Sequence, residues 1–129
     1  MPRMAGVRVG VVLLLASSIC TASCDICDDT VKARVPSADG QLIAFSYQRG
    51  CGATTLDSSV VTVQSPSSAF NAQDGTVFVA EGQFDVSLDW TGPRSLRVTC
   101  LTCTRNDVFR QVTALGKVDV TYVLARPTR

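Results

Sequence analysis

The stretch Phe84-Asp85-Val86-Ser87-Leu88-Asp89-Trp90 sets an apolar residue at every second position and a polar one between each pair. Side chains of an extended chain point alternately to opposite faces, so this pattern is that of a β-strand with one buried and one wet face. Thr91-Gly92-Pro93 closes it, and Leu96, Val98 and Cys100 resume the same alternation. Toward the N-terminus, Val31, Ala33 and Val35 alternate, and Pro36 to Gly40 reads as a turn. Leu42 to Tyr47 is apolar on both faces, as a central strand requires. Val60, Val61 and Val63 follow, then a polar loop from Ser65 to Asp74, then Val77-Phe78-Val79 closed by Gly82. Val118, Val120, Tyr122 and Leu124 form the last strand. Asn106 to Leu115 alone can be argued as a helix, against the β-branched Val108, Val112 and Thr113. The pattern predicts an all-β domain: a small antiparallel β-sandwich or twisted meander of about seven to eight strands. Phe84, Val86, Leu88 and Trp90 are expected in one core with Phe45, Val61, Phe78, Val98, Val120 and Tyr122.

The N-terminus reads as an address. Arg3 and Arg8 are followed by the apolar run Val9 to Leu15 and the small residues Ala16, Ser17 and Ser18, the three-part layout of a secretory signal. The run falls short of the ~20 apolar residues that a permanent membrane helix needs. Thr21-Ala22-Ser23-Cys24 has the form of a bacterial lipobox. The expected organisation is a lipoprotein-type signal peptide at 1–23, a tether at 24–29 and a single β domain at 30–129. Cys24 would carry the lipid and hold the protein to a membrane of the bacterial cell envelope, facing the periplasm or exterior. Ordinary cleavage after Ser23 or Ser18 is the alternative and would leave a soluble protein. Loss of Arg3 and Arg8 takes the formal net charge from +1 to −1. No basic tract survives to neutralise phosphates, so no nucleic-acid partner is expected.

Ser37 to Thr55, with Asp39-Gly40 and then Tyr47-Gln48-Arg49-Gly50-Cys51-Gly52-Ala53-Thr54-Thr55, resembles a group of small bacterial envelope lipoproteins of unassigned function. Their signature is an Asp-Gly hairpin followed by a Cys-Gly-Ala-Thr-Thr loop. The resemblance continues through Val77 to Val79, Trp90 and Leu96, and Val118, Val120 and Tyr122, and so covers most of the chain after Cys24. Gly50 departs from it, since the group usually has Asp there. The resemblance implies an envelope location and this fold class, and it implies no catalytic residues.

The 129 residues include six cysteines and no histidine, which removes the commonest general base and metal ligand. There is no G-x-S-x-G, phosphate loop, dinucleotide fingerprint or Ser-His pair. No enzyme activity, cofactor or metal is expected. With Cys20 discarded and Cys24 acylated, Cys27, Cys51, Cys100 and Cys103 remain, and an oxidising envelope favours two disulfides. The expected pairs are Cys27 with Cys51 and Cys100 with Cys103. The rival pairing joins Cys51 to Cys100 or Cys103. On a straight strand Cys100 and Cys103 would stand ~10 Å apart, so their bond requires a turn at Leu101-Thr102. Tyr47, Arg49, Cys51, Gly52, Thr54 and Thr55, with Asp57 nearby, form a candidate binding loop, with a disulfide-stapled turn as its plainer reading. The expected function is a non-enzymatic binding or structural module of the envelope with an envelope protein as partner. The alternatives are a thiol–disulfide protein using Cys100 and Cys103, or an inhibitor or immunity protein against an envelope-targeting enzyme.

Overall fold

The structure is a computed structural model that describes residues 27–67 and 69–127. The expected signal segment 1–23, with Cys20, and the lipidation candidate Cys24 lie outside the described residues. The described chain is all β and forms two sheets. In chain order the strands are β1 (Asp28–Pro36), β2 (Ile43–Gly50), β3 (Ser58–Gln64), β4 (Thr76–Glu81), β5 (Ser87–Gly92), β6 (Ser95–Cys100), β7 (Val108–Gln111), β8 (Ala114–Leu115) and β9 (Val118–Leu124). One sheet has the order β1-β2-β3-β4-β7 and the other β5-β6-β9-β8. β1 begins at Asp28, so the strand starts inside the expected tether 24–29.

Six of the seven strand pairings are antiparallel, and the seventh, β6 with β9, is a parallel seam running from Ser95↔Asp119 to Cys100↔Leu124. That seam departs from the fully antiparallel expectation. Parallel neighbours need a crossover, and here the chain after β6 crosses to the other sheet as β7 and returns through β8. The segment Asn106 to Leu115 therefore supplies β7 and β8 and no helix. β5 also differs from its sequence pattern: its ladder starts at Ser87, not Phe84. Ser87 pairs with Thr99, so Val86 would pair with Cys100, where β6 ends and the chain turns away. Phe84 and Val86 keep their inward alternation without a ladder, half-buried against the core with Leu88 and Trp90.

The core between the sheets holds Val61, Val63, Val77, Phe78, Ala80, Leu96, Val98, Val118 and Val120. Phe45 is not among them. It lies on the opposite face of β2 with Ile43 and Tyr47, and all three are buried there because the 65–74 loop folds over that face. Phe70 of that loop packs 4.9 Å from Phe45 and 5.2 Å from Tyr47 between ring centroids. Gln64 holds the loop in place: its Nε2 donates to the carbonyls of Asn71 (2.5 Å) and Asp74 (3.0 Å), and its Oε1 accepts from Asn71 N. Gly75, with φ of 70°, brings the loop back onto β3, where a Cβ would stand 2.0 Å from Val63 O.

Both edge strands of the five-stranded sheet carry a bulge. The register skips Lys32 in β1 and Phe109 in β7, leaving each without a partner across the ladder. Such interruptions blunt an edge against pairing with another chain. The Trp90 indole N–H donates to Val35 O (2.9 Å), tying β5 to edge strand β1.

The two sheets are joined through Tyr122. Its ring stacks on Phe78 at 5.7 Å, and its hydroxyl lies 2.9 Å from Val77 O and 2.5 Å from Val112 O. Burial pushes the Tyr122 phenol up from 10.0 to about 12. The unfolded chain would release that proton first, so this contribution is intact below pH 10 and is lost as pH rises toward 12. Tyr122→Phe is expected to cost about 1 kcal/mol at neutral pH. It should also flatten the alkaline fall in stability, leaving the smaller part due to Tyr47, whose burial likewise raises its pKa. Denaturation of both proteins across that pH range checks this, and identical alkaline slopes would contradict it.

Candidate functional site

The candidate loop begins where β1 and β2 end. Their register runs to Asp28↔Gly50, and one further step sets Cys27 opposite Cys51, where the structure joins them in a disulfide. Gly52 then takes a φ of 112°, and the chain turns so that Thr55 N and Thr55 Oγ1 both donate to Gly52 O (3.3 and 3.2 Å). Residues 52–56 are exposed. The Thr55 hydroxyl is thus engaged within the turn, and Thr54 stands in solvent.

The other members of the expected group do not converge on this turn. Tyr47 is 2% exposed, and its hydroxyl donates to Ala72 O (2.9 Å) beneath the covering loop. Arg49 makes a two-pronged pair with its cross-strand partner Asp29, Nε to Oδ1 at 2.8 Å and Nη2 to Oδ2 at 3.0 Å. Asp57 accepts from Gln83 Nε2 and stands beside Gly50, whose Cβ, if it had one, would lie 2.9 Å from Asp57 Oδ1. An Asp at position 50 would press one carboxylate on another. The loop is a stapled turn flanked by satisfied side chains.

Cys100 and Cys103 are also disulfide-bonded, and the chain makes the turn their spacing requires. Cys103 N donates to Cys100 O (3.3 Å) and the Cα atoms are 5.3 Å apart, within the range a disulfide spans. Both cysteines are fully buried, with Leu101 and Thr102 exposed at the tip of the turn. Thiol–disulfide exchange needs an attacking thiolate to reach a sulfur, and a reactive pair is usually set at a helix N-terminus. Neither condition is met here among the described residues. No three His, Cys, Asp or Glu side chains among the described residues are grouped as a metal site would need.

One feature was not anticipated from sequence. On the side where β1 faces the lead-in to β5, a cleft of about 440 Å³ opens between the sheets. Lys32, Ser46, Gln48, Phe84, Asp85 and Val86 are among the residues that line it. Ser46 belongs to the inward set of β2, opposite Ala33 and Val61, and is 4% exposed. Its hydroxyl is the one buried side-chain polar atom without a hydrogen-bond partner among the described residues. The available signal was a serine at an inward position of an otherwise apolar strand.

No protein-family model matches this chain, and no similar curated protein or solved structure was found in the same comparisons.

The Cys27–Cys51 bond closes a loop of 24 residues in sequence separation. Replacing both cysteines with serine should cost about 3 kcal/mol by the loop-entropy argument. Urea denaturation measures it, and non-reducing peptide mapping should recover Cys27 linked to Cys51. An unchanged midpoint would contradict the stapling role.

Proposed function

We propose that the protein is an exported, non-enzymatic binding or structural module of the bacterial cell envelope, lipid-anchored through Cys24. The observation that supports this reading most is the tie between Cys27 and Cys51. It holds the start of the domain to its own sheet only three residues after Cys24, so a lipid there would be joined to a firm platform by a span of about 10 Å. Two disulfides also suit an oxidising compartment. The several acyl chains of a bacterial lipoprotein give the lasting attachment that a single chain does not.

The burial of Cys100 and Cys103 weighs against a thiol–disulfide role. The outward face of the four-stranded sheet supports a binding role instead. Ser87, Asp89, Thr91, Arg97, Thr99, Asp119 and Thr121 stand at its outward positions beside one exposed apolar residue, Val123, set by the registers of β5, β6 and β9. No loop among the described residues folds over them as on the other sheet. An envelope protein is the partner such a polar face would suit.

Cys24→Ala should move the protein from the membrane to the soluble fraction and abolish incorporation of labelled palmitate. Fractionation with metabolic labelling tests this. A variant that stays in the membrane, with a wild type that takes up no label, would contradict the anchor.

A further inference from the structure

We infer that the cleft between β1 and the lead-in to β5 is a binding site for a small zwitterion, namely a free α-amino acid with a polar side chain. Three observations lead there. The first is size: about 440 Å³ falls within the range of small-molecule sites, roughly 300–1,000 Å³. The second is the Ser46 hydroxyl, buried at an inward position and lacking a partner. Buried hydroxyls are nearly always hydrogen-bonded, so an unpaired one in the wall of a cleft marks a place for a polar atom of something else. The third is charge. Lys32 is the bulged residue of β1 and Asp85 lies between Phe84 and Val86, and both line the cleft at exposed positions. Neither is ion-paired or hydrogen-bonded to another described residue.

Opposite charges, both unengaged, select among ligands. An anion would meet Lys32 favourably and Asp85 unfavourably, and a cation the reverse. A neutral polyol would leave both charges to water. A zwitterion satisfies both, its carboxylate on Lys32 and its ammonium on Asp85. Its methylenes would lie along Phe84 and Val86, and a polar end would pair with the Ser46 hydroxyl, enclosed in the free protein, once rotation about its Cα–Cβ bond turns it to the cleft. A bulge re-aims the side chain it carries, which accounts for a lysine directed to the cleft from an edge strand. This site goes beyond the proposed envelope role and does not depend on a lipid at Cys24.

The test is titration of L-glutamine into the isotopically labelled full-chain protein, followed by amide shifts and calorimetry. Saturable binding is expected, with shifts centred on residues 32–33, 46–48 and 84–87. Lys32→Gln and Asp85→Asn, both at exposed positions and compatible with the fold, should each weaken binding roughly tenfold. Ser46→Ala should raise the melting temperature of the free protein, weaken L-glutamine binding and leave L-alanine binding unchanged. The inference is overturned if L-glutamine produces no saturable shifts, or if glycerol produces the same ones. It is also overturned if Ser46 Oγ proves to hold only an ordered water at saturating L-glutamine.

Discussion

β2 and β3 are buried on both faces, and the rest of the architecture answers to that constraint. Val61 and Val63 with Ala44 point to one side, Ile43, Phe45, Tyr47 and Val60 to the other, and all of them are removed from water. An antiparallel sheet usually leaves one face wet, and this one needs two covers. The first is the four-stranded sheet, which brings Leu96, Val98, Val118 and Val120 against the inner face. The second is the 65–74 loop, which seats Phe70 on Phe45 and Tyr47. Each cover has its own polar fastener. Tyr122 ties the second sheet to the Val77 and Val112 carbonyls, and Gln64 ties the loop through Asn71 and Asp74.

With the centre of the sheet doubly covered, its margins carry what freedom the structure has. The edges are interrupted by bulges at Lys32 and Phe109, and the free corner of β1 and β2 is closed by the Cys27–Cys51 bond. The second disulfide sits at the end of β6 and makes the reversal that sends the chain back across to β7. The ladder of β5 gives out at the same level because its partner has left. The cleft opens beside that unpaired lead-in, between Phe84 to Ser87 and the bulge of β1. A single event, the turn after Cys100, therefore accounts for both the parallel seam and the gap on the open side.

Much of the fold was legible because periodicity reports burial directly. The alternation from Phe84 to Trp90 marked the inward set correctly, and the doubly apolar run from Leu42 to Tyr47 marked a central strand. Hydrogen bonding with a neighbour is a different property from alternation, so the loss of the ladder before Ser87 could not be read from residues 84–86 alone. Phe45 lies outside the core expected for it because nothing in the polar segment 65–74 says that it will lie across a sheet; the lone Phe70 is the signal. Counting four cysteines leads to the expectation of two disulfides but not to their partners, which strand register and the turn after Cys100 decide in the structure. The candidate loop fared differently. Tyr47 and Arg49 looked available because both are near Cys51 in sequence, whereas strand geometry gives one to the covering loop and the other to Asp29. The cleft residues Lys32, Ser46 and Asp85 come from three separate segments, and only the assembled sheets bring them to one opening.

Native-state hydrogen exchange tests the account most directly, since it ranks the stability of each strand. If two-sided burial of β2 and β3 is the constraint on which the fold depends, amides of residues 43–47 and 59–63 should be the slowest to exchange. They should open only with global unfolding, while amides of β1, β7 and β8 exchange through local opening. The account is contradicted if β6 and β9 form the most protected unit while β2 exchanges locally on release of the 65–74 loop.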